Sequence, residues 1–209
     1  DFVKYSNKTE NEKNSISVAR FRDYGLLKFW FRGIEKFAPW VRKIHFVTCG
    51  QKPVWLDENH PKINLVNHIN FIPKEFLPSF NSVVIERYLH KIPDLAEHFV
   101  YFNDDFYIIN HLDKSRFFQN GLHCYISIFQ YNPNWSQWYI RIKNNMRLIN
   151  RHFKKKDVMS RFYEKWYNPI YGIKLWMNYL MKLYPKFITL RTPHNAQPFL
   201  KSMFEDVWK

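Results

Sequence analysis

Hydrophobic and polar positions first organise this chain after a polar start. Residues 1–16 are rich in Asn, Lys and Glu and read as a loop or linker. From Arg20 the pattern turns helical: Leu26, Leu27, Trp30, Ile34, Phe37 and Ala38 share one face, and Lys28, Arg32, Glu35 and Lys36 share the other. Pro39 ends that helix. "KIHFVTC" then reads as a strand broken by Gly50, and Ile63 to Val66 as a short second strand. "LPSFNSVVIERYLHKI" predicts a loop entering a helix, with Asn81 or Ser82 as N-cap and Glu86 in its body. Pro93 closes that helix, and "HFVYF" supplies a third strand.

Helix, strand, strand, helix, strand predicts an α/β domain with a mostly parallel sheet over residues 17–131. "HCYISIF" adds a further strand. Beyond Tyr131 the period becomes helical, with breaks near His152, Asn168-Pro169 and Gly172. Residues 132–191 therefore read as a basic, aromatic helical lobe in the C-terminal half. "NAQPFLKSMFEDVW" starts a last helix around Pro198, inside a closing segment of residues 192–209.

Composition places the chain among globular proteins: 209 residues, 46% hydrophobic, 20% aromatic and five glycines. No apolar run reaches the length of a transmembrane helix, and no signal peptide opens the chain. A first residue Asp1 and a last segment stopping inside an amphipathic pattern suggest a piece of a longer chain. Cys49 and Cys124 lack metal-ligand spacing and read as two buried thiols, compatible with a reducing cytoplasm.

The net charge of +14 is unevenly placed. Residues 1–100 carry 15 basic and 11 acidic side chains, whereas residues 101–209 carry 17 and 7. From Arg141 to Arg191, 13 basic residues face only Asp157 and Glu164. Such a block could meet nucleic acid, an anionic membrane surface or a polyanionic acceptor, or be simply a solvated face. Reversing the charges of Lys154, Lys155 and Lys156 is expected to weaken acceptor or liposome association.

The sharpest chemical signal is "HFVYFNDDFYI", where an apolar strand runs into Asn103, Asp104 and Asp105. In open α/β sheets, ligands sit outside the carboxyl ends of strands. Paired carboxylates there suit a divalent cation, Mg²⁺ or Mn²⁺, with positions left for substrate phosphates. A turn or helix-capping pair of acids gives the same pattern. Among the histidines, His60, His68, His90 and His194 draw interest. His194 lies in the Pro-bounded loop "RTPHNAQPF", where it could act as a general base. No Gly-rich phosphate loop, nucleophile elbow or nucleic-acid motif is present.

The stretch from "RFRDYGLLKFWFRGIEKFAPWVRKI" through "FNSVVIERYLHKI" to "YFNDDFYI" resembles the second signature block of the Stealth proteins, sugar-phosphate transferases that build bacterial surface polysaccharides. "TPHNAQPFLKSMFEDVW" resembles the start of their third block. The resemblance implies a nucleotide-sugar-binding fold similar to the A-type glycosyltransferases. It also implies transfer of a sugar-1-phosphate from a nucleotide-diphosphate sugar to an acceptor sugar hydroxyl, in capsular or other cell-surface polysaccharide synthesis. On this reading Asp104 and Asp105 are the paired catalytic and metal-binding acids, and His194 is the base. Arg20, Arg22, Asp23, Asn81, Ser82, Glu86, His90 and Asn103 match positions expected at the donor.

The implied partners are the donor and a polysaccharide or glycan acceptor, with peripheral contact to an anionic membrane and no nucleic acid. The expected location is the cytoplasm, including the inner face of the membrane. Three departures stand out: the "WV(D/N)G" first block and the Arg-containing fourth block are not in this sequence, and Cys49 stands where an acid or amide is common. The competing readings are a conventional metal-dependent glycosyltransferase, which would release a nucleoside diphosphate, and a basic nucleic-acid or polyanion-binding module.

Overall fold

The computed structural model describes residues 24–125, 127, 137–190 and 194–208. They form two compact units, one running to Cys124 and resuming at Asn195, the other spanning Tyr125 to His194. Helices and small sheets alternate in a mixed α/β arrangement.

In the first unit, helix α1 covers Leu27–Phe37 and stops where Pro39 bars continuation; the Ala38 N–H still donates to the Ile34 carbonyl at 2.9 Å. Gly33, Ile34 and Ala38 are buried, whereas Leu26 from the predicted apolar face is exposed. Phe31, outside that face, packs edge-on against Phe46 and Trp55. Strand β1, Ile44–Thr48, pairs in parallel with β2, Ile63–Asn67, from Ile44 opposite Ile63 to Thr48 opposite Asn67. Cys49 follows β1 and is exposed, which corrects the reading of two buried thiols; Cys124 is half-buried, and both are free.

Helix α2, Ser82–Tyr88, starts as its sequence predicts: the Asn81 side chain accepts from the Val83 N–H at 3.0 Å, satisfying an orphan donor of the first turn. It delivers Tyr88 to a core built of Val66, Phe71, Ile72, Leu89 and Ile92. Strand β3, His98–Tyr101, leaves that core.

The expectation of a mostly parallel sheet meets a correction at β3. Its partner is β6, Gln197–Leu200, in antiparallel register with His98 opposite Leu200 and Tyr101 opposite Gln197. A short antiparallel hairpin, β4 (Phe118–Gln119) with β5 (Leu122–His123), completes the described pairings, so parallel pairing is confined to β1–β2. The predicted "HCYISIF" strand begins at β5, but Ile126, Ile128 and Phe129 of it lie outside the described residues.

The last helix, α7, covers Lys201–Val207, not the residues from Pro198 onward. Phe199 pairs with Phe99, and extended backbone there completes β3's ladder; Pro198, which lacks an N–H, is tolerated on such a short edge. Glu97, just before β3, accepts from the Ser202 N–H at 3.2 Å and from the Ser202 hydroxyl at 2.5 Å, a carboxylate placed at the α7 N-terminus.

The second unit is helical: α3 (Gln137–His152), α4 (Lys155–Arg161), α5 (Tyr163–Trp166) and α6 (Leu175–Leu180). Between α5 and α6 a 3₁₀ run, Pro169–Lys174, starts at an Asn168 cap and breaks at Gly172, whose φ of 53° suits a residue without Cβ. Met146, Met159, Tyr167 and Phe187 form the core. The Asn150 amide donates to the Phe187 carbonyl at 2.7 Å and accepts from its N–H at 2.9 Å.

Lys155 does not join a solvated basic face. It is 4% exposed, and its ammonium donates to the carbonyls of Met181 and Tyr184. The Met181 carbonyl also accepts from the Tyr184 N–H at 3.2 Å, so the lysine ties together the first residue of the 3₁₀ turn Met181–Leu183 and the residue that follows it. Lys154 and Lys156 are exposed, so charge reversal that includes Lys155 would test folding of the unit, not surface recognition.

Candidate active site

The two acids lie in a turn. Asn103 is the second residue after β3, and its carbonyl accepts from the Phe106 N–H at 3.5 Å, leaving Asp104 and Asp105 as the central residues. Both are exposed. Water can therefore solvate the two carboxylates, and their adjacency needs no buried counter-charge in this structure.

The chain beyond the turn is fixed by α1. The Leu112 N–H donates to the Phe37 carbonyl at 2.9 Å, and the Trp40 indole N–H donates to the Leu112 carbonyl at 2.6 Å. A Cβ on Gly33 would stand 2.6 Å from the Ile108 carbonyl oxygen. Only glycine lets the segment after the acids lie this close to the helix. Gly33→Ala should gain up to about 1 kcal/mol in helix propensity yet lose about 1–3 kcal/mol by overpacking, because a backbone carbonyl cannot swing aside. A thermal melt should therefore show a lower midpoint for Gly33→Ala; a raised midpoint would contradict the close approach.

Before the turn, Tyr101 meets Glu86. The half-buried Tyr101 hydroxyl donates to the Glu86 carboxylate of α2. Burial first, then the Glu86 charge and hydrogen bond, then Asp104 and Asp105, raise this phenol far above its usual range. It thus stays protonated and tethers Glu86 beside the turn. Tyr101 escaped the sequence reading, although a tyrosine three residues before paired acids already pairs an apolar body with a polar tip.

The remaining candidates separate. Asn81 and Ser82 sit exposed at the start of α2, where the Asn81 side chain serves as cap. His90 is buried: its ring stacks on Phe204 at 5.6 Å and on Trp208 at 6.3 Å, both contributed by the C-terminal segment. A donor could touch this ring only after that stack opened. His68 is likewise buried, against Phe71, and exposed His60 accepts from the Lys62 N–H through Nδ1. His194 is exposed, three residues before Gln197 on β6. Arg20, Arg22 and Asp23 lie outside the described residues.

Burial lowers the basicity of His90 and of His68, so the folded chain keeps both rings neutral. The Nδ1 atoms of both lack hydrogen-bond partners among the described residues. Below the ordinary histidine value of about 6.5, the unfolded chain binds protons that the folded chain refuses, so stability falls as pH falls. Unfolding midpoints should drop between about pH 7 and pH 5. His90→Phe, which preserves the stack, should drop less, and an equal drop would remove His90 from this account.

Among the described residues, no group of three or more His, Cys, Asp and Glu side chains could hold a metal. A cation at the turn would have to rely on Asp104 and Asp105, with water and phosphate oxygens completing its shell. That donor set fits Mg²⁺ or Mn²⁺, which are commonly bound by one or two carboxylates plus substrate phosphates.

Residues 20–125, which include α1, α2, β3 and the acid turn, match the family described as "Stealth protein CR2, conserved region 2". A capsular polysaccharide phosphotransferase of Streptococcus pneumoniae is 39% identical over 100% of this chain and 64% of its own length. One from Streptococcus thermophilus is 37% identical over 91% of this chain and 79% of its own. An exopolysaccharide phosphotransferase of Lactiplantibacillus plantarum is 36% identical over 95% of this chain and 58% of its own. The chain thus spans 64% of the first of these relatives. With the acid turn inside the matched region and the identity continuing past it, the chain belongs to the Stealth family.

Proposed function

We propose that this chain supplies the donor-binding and catalytic region of an enzyme that moves a sugar-1-phosphate from a nucleotide-diphosphate sugar onto a sugar hydroxyl of a growing cell-surface polysaccharide. The observation that carries this reading is the exit of β3, where the Tyr101 hydroxyl donates to Glu86 of α2 and Asp104 and Asp105 follow in an exposed turn.

The proposed reaction is a displacement at phosphorus. The acceptor hydroxyl oxygen attacks the donor's β-phosphorus, and the bond from that phosphorus to the bridging oxygen of the nucleoside monophosphate breaks. The hydroxyl proton passes to a ring nitrogen of His194. A sugar-phosphate-sugar diester and a nucleoside monophosphate result. Such chemistry demands positioning and charge neutralisation. Asp104 and Asp105 would hold Mg²⁺ or Mn²⁺, which when bound offsets the negative charge of the diphosphate. Glu86, tethered by Tyr101, and the exposed start of α2 at Asn81 and Ser82 would border the donor, with Asn103 fixing the turn. Arg20, Arg22 and Asp23 are proposed to approach the donor phosphates.

The nucleotide-sugar fold of the A-type glycosyltransferases is part of the same proposal, as are a cytoplasmic location and contact of the basic C-terminal half with anionic membrane or polymer. No helix among the described residues is long and apolar enough to cross a membrane. The test is turnover of the complete protein with nucleotide-diphosphate sugar and acceptor. Excess chelator should abolish it and added Mg²⁺ or Mn²⁺ restore it; full activity in chelator would defeat the metal assignment.

A further inference from the structure

We propose that the segment Pro169–Leu183 of the helical unit docks on the surface of an anionic lipid bilayer. Its core is α6, with the 3₁₀ run Pro169–Lys174 before it and the turn Met181–Leu183 after it. One face is satisfied by the protein: Leu175 and Met181 pack on the unit's core, and Asn178 is buried. The other face is equally apolar and is open. Ile173, Trp176, Leu180 and Leu183 recur at helical spacing, and Ile173 and Leu183 are 86% and 81% exposed. Ile170, just upstream, is 85% exposed. A helix apolar on both faces is normally buried, so a cover is implied.

Charge identifies the cover. Lys174 within the stripe and Lys186 just beyond it are exposed, and Lys182 lies between them in sequence, over the Tyr167 ring at 4.5 Å. Between Glu164 and Glu205 the sequence has no acidic residue, but it has six lysines and arginines. Exposed aliphatic side chains interspersed with exposed lysines, and with Trp176, Tyr179 and Tyr184 among them, match the composition of a surface that meets a bilayer interface: hydrocarbon, aromatic belt, anionic headgroups. A glycan would have little use for bare Ile and Leu side chains. This inference does not depend on the phosphotransfer reading, since docking can occur whatever reaction the first unit performs.

The experiment is co-sedimentation of the complete protein with vesicles of phosphatidylcholine, alone or containing phosphatidylglycerol. Binding is expected to the phosphatidylglycerol vesicles and to weaken with salt. Ile173→Ser with Leu183→Ser should cut partitioning by about tenfold or more, from the lost apolar burial. Lys174→Glu with Lys186→Glu should erase the preference for anionic vesicles; Lys182 is left intact because its stack on tyrosine rings is structural. All four side chains are exposed, so melting curves should be unchanged, and if the serine pair melts early, Ile173→Ser alone supplies the same readout. No sedimentation, equal binding to neutral vesicles, or binding unaffected by both variants would overturn the proposal. So would a serine variant that changes the protein's oligomeric mass, which would make a second copy the cover.

Discussion

Replacing Asp104 or Asp105 by Asn in the complete protein is expected to lower turnover by on the order of 10³-fold, the scale on which loss of a charge-stabilising group acts in a polar active site. The folded state should hardly notice. Both side chains are exposed at the middle of a turn, where substitutions usually change stability by less than about 0.5 kcal/mol. Asn also remains a favourable turn residue. Kinetics and thermal melts on the same samples separate the two effects. A variant that melts normally and turns over normally would show that the acids only shape the turn; this is the bland reading that the strand-end motif alone leaves open.

His194→Ala should depress turnover by ~10²–10⁴-fold, the usual worth of a positioned general base, while donor affinity changes little. Added imidazole should restore part of the rate of the variant; no rescue in a normally folded variant would assign the proton to another group.

How much of this was legible beforehand depends on the range of the forces involved. The Asn81 cap, the stops at Pro39 and Gly50 and the break at Gly172 are local backbone chemistry, and each could be read from a few adjacent letters. Strand β6 could not. "QPFL" carries a proline and runs directly into a helix, so only the free edge of β3, about 100 residues earlier in the chain, tells it to extend. Lys155 looked like one of three equivalent surface lysines. Its burial is dictated by carbonyls of Met181 and Tyr184, which no local pattern reveals.

The candidate site divides in the same way. The acid pair was visible because two carboxylates after an apolar strand are conspicuous in any sequence. Glu86 was reached through family resemblance, and its tether to Tyr101 emerged only in three dimensions. His90 shows the converse. Its place in the motif suggested the donor pocket, yet the structure gives its ring to a stack with Phe204 and Trp208 of the C-terminal segment. Gly33 was passed over inside an apolar helix, although its missing Cβ is what lets the acid loop settle against α1.

The central claim is the bond that breaks. The complete protein, incubated with a nucleotide-diphosphate sugar, acceptor and Mg²⁺ or Mn²⁺, should release nucleoside monophosphate and build a phosphodiester, visible as a new phosphorus resonance retained in the polysaccharide product. Release of nucleoside diphosphate, with a glycosidic bond and no phosphorus in the product, would contradict it.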